Sequence, residues 1–352
     1  MKKRNIAAVL VSGMMAVSML AGCGGVNKDA VVATLDEEEV SLGLANFAAR
    51  LQQASYDDFY VAYFGENVWS SDMYGNGTTM ETNLKDSVME TVEDMYILQK
   101  HMGDYGVEIT ADEENAIGEA ASAFMTANSK DAVNALGATE DIVKEYLTLV
   151  TVQNKMHDAI IADADTNVSD EEANTSAYSY VRISQKTYTD DEGNSREYTE
   201  DQLTELAKTV EKFAEEAASD SLENAADSYG YSVSNGTFTK DDESLDEAVF
   251  AKLQSLDEGA VSGVIDTEDN YYVVRLDQKT DAEATEQTRQ SIISQRQNEL
   301  YNEVLDGWKE EHEWIVDEKV WAKVTFDNLF TTTAESTETE SDENVDATES
   351  AE

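Results

Sequence analysis

The spacing of apolar residues divides the chain into stretches of different period. An apolar run over residues 6–19 opens it, and residues 30–35 (AVVATL) then read as a short strand followed by turn residues 36–39. From Ser41 the period becomes helical, with Leu44, Phe47 and Leu51 on one face. Residues 80–102 predict a second amphipathic helix through Leu84, Val88, Met95 and Leu98, closed by Gly103 and Gly106. Thr110 with Glu113 has the spacing of a capping box, in which the hydroxyl accepts from a free first-turn N–H and the carboxylate reaches back; Ser169 with Glu172 repeats it. Between them Thr139 starts a helix whose stripe is Ile142, Val143, Tyr146, Leu147, Val150 and Met156. The aromatic stretch 56–74, with Phe59, Tyr60, Tyr63, Phe64 and Trp69, fits a peptide-contacting surface, although packing against a partner helix is the more frequent use of such residues. Residues 41–176 are therefore expected to be mostly helical.

At Ala177 the pattern changes. Residues 178–186 alternate as a strand, residues 190–195 form a polar turn around Gly193, and Thr199 with Gln202 caps a helix carrying Leu203, Leu206, Val210 and Phe213. A short helix at 222–229, a strand at 232–239, a helix at 245–253 and a strand at 271–276 follow. That order argues for a small α+β domain. Helical period returns after Asp281 through Ile293, Leu300, Val304 and Trp308, and residues 314–324 look strand-like. Residues 331–352 hold no large apolar residue beyond one valine and are expected to stay a disordered acidic tail.

The first 22 residues resemble a bacterial lipoprotein signal: Lys2, Lys3 and Arg4, an apolar run too short to span a bilayer, and Leu20-Ala21-Gly22 before Cys23, the only cysteine of 352 residues. The resemblance implies lipidation of Cys23, a tether over 23–29, and a protein on the extracytoplasmic face of a cell membrane, in a Gram-positive cell by preference. With one cysteine the fold stands without disulfides. Losing three basic and no acidic residues with the signal takes the formal charge from −50 to −53, which excludes nucleic acid as a partner, since phosphate binding depends on Lys and Arg. The acidic residues are spread over every segment, so solubility explains most of them, and attraction of basic unfolded chains is the functional alternative. Proline is absent from the chain, whose own folding then waits on no X-Pro isomerisation.

Two blocks resemble the parvulin family of peptidyl-prolyl isomerases. LDEAVFAKLQSLDEGAVSGVIDTEDNYYVVRL, residues 245–276, is similar to the family's helix, Gly-x-Val-Ser and last-strand pattern, with Phe250, Leu253, Gly259, Val261, Ser262 and Tyr271 at matching places; YSYVRIS, residues 178–184, resembles its first strand. The flanking segments resemble PrsA/SurA-like foldases. That likeness implies a mostly helical chaperone domain built from residues 30–176 and 281–330, with a parvulin-like domain inserted at 177–280, and unfolded or partly folded exported polypeptides as partners. The positions that correspond to the family's two active-site histidines hold Arg182 and Tyr272, so the resemblance implies a parvulin-type isomerase fold with its histidine pair replaced. The barrier of about 20 kcal/mol falls when a pocket favours the twisted amide, and no covalent step is needed. Phe238, Phe250, Leu253 and Tyr272 are the residues expected to grip a proline peptide, with Ser184 or Tyr272 supplying a hydrogen bond.

Other chemistry is thin. Asp163, Asp165, Asn167 and Ser169 imitate a calcium loop, but its sixth and twelfth positions are Val168 and Asn174. His101, His157 and His312 are isolated along the chain, where solvated or core roles are expected, and no metal or cofactor is anticipated. The alternative class is a solute-binding lipoprotein of a transport system, which shares anchor and size but requires repeated βα units.

Overall fold

The computed structural model describes residues 16–19, 26–190 and 192–333. Cys23, residues 1–15 and 20–22 of the signal, residues 24–25 of the tether and residues 334–352 of the tail lie outside the described residues. The chain divides into two units, Met1–Asp163 with Leu300–Glu352, and Ala164–Glu299.

In the first unit strands β1 (Ala16–Met19), β2 (Val31–Leu35) and β3 (Glu38–Ser41) precede helices α1 (Leu42–Phe64), α2 (Met80–Lys100), α3 (Ala111–Ala127), α4 (Lys130–Ala135) and α5 (Glu140–Ile161). The helices begin where hydroxyls satisfy first-turn amides. Ser41 Oγ accepts from Leu44 N–H at 3.1 Å and Thr139 Oγ1 from Ile142 N–H at 3.2 Å. Thr110 and Glu113 complete a reciprocal capping box on α3. Asp36 turns β2 into β3 with φ of 54°, a left-handed conformation that aspartate tolerates better than most side chains.

The second unit contains α6 (Asp170–Ala173), β4 (Thr175–Ser184), β5 (Thr187–Thr189), β6 (Ser195–Glu197), α7 (Glu200–Ser219), α8 (Leu222–Tyr229), β7 (Ser234–Thr239), α9 (Glu247–Ser255), β8 (Ile265–Asp266) and β9 (Asn270–Gln278). Helix α10 (Ala282–Glu311) begins in this unit and ends in the first, where β10 (Trp314–Val316), α11 (Glu318–Trp321) and β11 (Phe330–Thr333) follow. The class is α+β, and every strand pair is antiparallel among the described residues.

The two ends of the chain build the first unit together. β10 adds to the β2–β3 hairpin, Trp314 opposite Leu35 and Val316 opposite Ala33, while Phe330 of β11 faces Met19 of β1. The main core joins Val32, Leu35, Leu44, Met95, Leu98, Leu149 and Met156 to Leu305, Trp321, Val324 and Phe326. A buried polar cluster fastens the returning segment to α1. Arg50 donates to the carbonyls of Thr325 at 2.9 Å and Asn328 at 3.1 Å and faces the Phe330 ring at 4.7 Å. Asp57, 0% exposed, accepts from Trp69 Nε1 at 2.6 Å and Phe330 N–H at 2.7 Å.

Several expectations need correction. Residues 331–333 lie in β11 and not in the tail, because their backbone finds a partner strand in residues 16–18, inside the segment read as a removable signal. Of the strand-like stretch 314–324 only Trp314–Val316 is strand, since Asp317 caps the following turn by accepting from Lys319 and Val320 N–H. Ser169 accepts from Glu172 N–H, but Glu172 Oε1 takes Arg296 at 2.6 Å in place of reaching back. The second unit is wider than 177–280 because both flanks are tied to each other: Arg289 donates to Val168 O and Asp170, and Thr175 Oγ1 meets Thr288 Oγ1 at 2.7 Å.

Candidate peptide-binding surfaces

The sheet of the second unit runs β7–β4–β9–β8. Period-two alternation gives it two distinct faces. Val181, Ile183, Tyr271 and Val273 cover one face and pack on Val210, Phe213, Ala217, Leu222 and Ala225 of α7 and α8. On the other, Tyr178, Phe238, Ile265, Val274 and Leu276 pack with Val249 and Leu253 of α9, and Tyr180, Phe250 and Tyr272 edge this cluster.

Rings on that second face form a continuous row. Phe250 meets Phe238 edge-on at 5.9 Å, Phe238 meets Tyr178 at 5.8 Å, Tyr178 stacks on Tyr180 at 5.5 Å, and Tyr180 reaches Tyr272 at 6.3 Å. These separations are within the range in which aromatic pairs gain about 0.5–1.5 kcal/mol beyond buried area. Arg182 lies directly opposite Tyr272 across β4 and β9, and by alternation it continues the Tyr178 and Tyr180 face. It is exposed, while Tyr272 and Phe250 are half-buried. Burial, ahead of the charges of Tyr180, Asp242 and Tyr272, raises the Tyr178 hydroxyl above the ordinary phenol range, so it remains a proton donor.

The structure thus brings Arg182, Tyr272, Phe238, Phe250 and Leu253 to one side of one sheet, but not all of them to its surface. Leu253 is 0% and Phe238 6% exposed. Both are covered by their neighbours and are not contact residues for a peptide; the groups open to one are Phe250, Tyr180, Tyr272 and Arg182. Ser184 is also committed elsewhere, its Oγ accepting from Lys186 and Thr187 N–H in the turn after β4. Tyr178 and Tyr180 escaped the sequence reading, although the Tyr-Ser-Tyr alternation is the signal that places both on one face.

Gly236 makes the row possible. It lies opposite Tyr178 in the β4–β7 ladder, and a Cβ there would stand 2.6 Å from Tyr178 Cζ. Gly236→Ala is therefore expected to push the Tyr178 ring aside and destabilise the second unit by about 1–3 kcal/mol, the usual cost of overpacking. A urea midpoint equal to that of the parent chain would show that the ring moves without loss.

In the first unit the unusual feature is exposed. Tyr56, Phe59, Tyr63, Phe64, Met73 and Tyr74 are six of the seven large hydrophobic residues exposed among the described residues, with Tyr63 at 72% and Tyr74 at 69%. They follow the last two turns of α1 and the loop before α2, with Phe59 4.6 Å from Tyr63 and Tyr56 stacked on Tyr60 at 5.2 Å. Of the aromatic residues in this stretch only Trp69 is deeply buried, held by its bond to Asp57. Packing into the core thus describes Trp69 and, in part, Tyr60, but not the exposed Phe59, Tyr63 and Phe64. Asp72 holds the loop by accepting from the Asn76 and Gly77 N–H groups. Residues 56–74 contain Asp57, Asp58, Glu66 and Asp72 and no lysine or arginine.

Among the described residues no group of three His, Cys, Asp or Glu is placed to hold a metal ion, and no helix is long and apolar enough to cross a membrane. Asp165 of the calcium-like stretch accepts from Asn167 N–H within a turn.

Residues 184–289 match the family model of the PPIC-type PPIASE domain. An antiparallel sheet with α7 and α8 on one face and α9 on the other, carrying that match, makes this a protein with a parvulin-type domain. All three histidines of the chain, His101, His157 and His312, lie outside the matched residues. No curated protein matches the chain. Among solved structures, the foldase protein PrsA from Lactococcus lactis aligns at 13% identity over 84% of this chain and 97% of its own, with a TM-score of 0.35. A SurA-like chaperone from Campylobacter jejuni aligns at 11% identity over 82% of this chain and 99% of its own, with a TM-score of 0.28. PrsA from Streptococcus pneumoniae aligns at 18% identity over 73% of this chain and 98% of its own, with a TM-score of 0.28.

Proposed function

We propose that this protein is an extracytoplasmic foldase that works chiefly by holding unfolded exported polypeptides, tethered to the membrane through lipid on Cys23. The observation that carries the reading is the aromatic surface from Tyr56 to Tyr74. Soluble chains rarely leave so many large apolar side chains contiguous and open unless a partner covers them. The exposed acidic groups among them, Asp58, Glu66 and Asp72, favour segments in which apolar residues alternate with lysine or arginine. The parvulin-type domain adds a second surface, where Phe250, Tyr180 and Tyr272 offer ring faces to a proline and Arg182 offers donors to a peptide carbonyl. Without histidine in that domain, binding of proline segments is favoured over their turnover.

An aggregation assay tests the holding role: at equimolar ratio the mature chain is expected to suppress aggregation of a reduced, unfolded client, and no suppression overturns it. A protease-coupled assay on a proline peptide is expected to run at the uncatalysed rate, and acceleration abolished by Phe250→Ala would instead assign catalysis to the aromatic face. The solute-binding alternative finds no support in the exclusively antiparallel pairing of the described strands.

A further inference from the structure

His101 caps the end of α2 and His312 follows α10, yet the two Nε2 atoms lie 3.0 Å apart in the first unit. The expectation that these histidines are isolated fails here because the fold joins positions 211 residues apart. The outer nitrogen of each ring faces a carboxylate: His101 Nδ1 is 2.7 Å from Asp104 Oδ2, and His312 Nδ1 is 2.9 Å from Asp36 Oδ2. Asp36 is held ionised, its carboxyl lowered to about 2 by the Glu313 N–H first and then by Lys100. The His101 ring lies flat on Trp308, with centroids 4.1 Å apart and planes 4° from parallel.

Counting protons decides what this arrangement requires. Each carboxylate accepts only if the Nδ1 facing it carries hydrogen. With both Nδ1 atoms protonated, the two Nε2 lone pairs oppose each other unless one of them also holds a proton. All three contacts are satisfied together by three protons on two rings, one net positive charge, which the indole face and the carboxylates both favour. With two protons, one carboxylate meets a bare nitrogen; with four, two N–H groups collide. The ring centres are 5.2 Å apart, so the lone pairs point at each other along nearly one line. That alignment suits a shared proton and not a metal ion, whose imidazole ligands converge on a common point.

We propose that a single proton shared by His101 and His312 latches the β2–β3 turn and the chain after α10 to the end of α2, and that adding a second proton, or removing the shared one, releases this latch. Trp314, where β10 begins, is two residues past His312, so release loosens the strand that the chain's end adds to the hairpin. The charged and titratable groups around the pair are Lys100 and Asp104 at the end of α2, Tyr105 beside them, Asp36 in the turn, Glu303 and Glu311 on α10, Glu313 beyond it, and Asp163, whose charge acts on Tyr105. Six of these eight groups are acids, and Lys100 is the single cation among them.

Histidine side-chain NMR on the full chain, titrated with pH, tests the latch. The resonances of His101 and His312 are expected to move together in two coupled steps separated by a plateau, as interacting sites do. Amide exchange protection in β2 and β10 is expected to be highest on the plateau and to fall about tenfold or more on its acid side, as a charge-assisted bond is lost. Independent single steps at His101 and His312, or protection that is flat across the plateau, overturn the proposal. His312→Gln is expected to abolish the plateau. Asp104→Asn, the milder change, is expected to shorten it by removing one carboxylate that favours the charged pair, and an unchanged plateau in that variant counts equally against the latch.

Discussion

Asp57→Ala is expected to destabilise the first unit by about 3–5 kcal/mol, the range for breaking a buried charged cluster by removing one partner. The deletion leaves Trp69 Nε1, Phe330 N–H and Gln53 Nε2 without their shared acceptor, at sites where the original distances are 2.6, 2.7 and 3.1 Å. It also strands Arg50, only 3% exposed, whose guanidinium burial already lowers to about 10 against the raising influence of Asp57. Burial is the largest influence on the Asp57 carboxyl and raises it, ahead of the lowering by Phe330, Trp69, Gln53 and Arg50. A raised group stabilises the native state below its unfolded value and loses that contribution as pH climbs through the folded one, so the gap between parent and variant should narrow with rising pH. Urea unfolding followed by tryptophan fluorescence measures both effects, since Trp69 sits in the cluster. A loss below about 1 kcal/mol, typical of surface pairs, would mean that the cluster is solvated in practice.

Replacing Phe59, Tyr63 and Tyr74 together by serine is expected to weaken binding of an unfolded client about tenfold or more, because a few central aromatics usually carry most of an interface's energy. Their exposure, 56%, 72% and 69%, means that folding should not suffer. Substitutions at such positions usually stay within about 0.5 kcal/mol each. Affinity measured by fluorescence anisotropy, beside a melting curve, separates the two effects. Phe250→Ala and Tyr272→Ala supply the comparison for the second unit. Full client affinity in the triple variant would move the holding surface away from α1. Added salt should weaken capture of a cationic client and leave an uncharged one unchanged, as screening of the acidic rim requires.

Much of this architecture is legible before any coordinates. The capping pairs Thr110 with Glu113 and Thr199 with Gln202 appear as read, because a helix start is decided by residues three apart. The α+β order of the second unit follows from alternation in residues 178–184 and 271–276 for the same local reason. What local pattern misses is partnership across the chain. Leu253 and Phe238 carry the apolar character of pocket residues, and only the packing of α9 on the sheet shows them to be covered. The aromatics of 56–74 have a composition equally suited to a core or to a surface, and their exposure is decided by which helices pack elsewhere. His101 and His312 carry no mutual signal at all, since their meeting depends on β10 returning to β2.

That return has a consequence for how the chain is made. When residue 35 leaves a ribosome or a membrane channel, the strand meant to lie beside it is still some 280 positions from being delivered. The second unit's strands, all within residues 175–278, are complete well before then. Contacts of such long separation are slow to form and leave their partners waiting. The first unit therefore spends its early life with Leu35, Arg50 and Trp69 short of their last partners, and a protein that would shelter unfinished chains passes through the same unfinished condition itself.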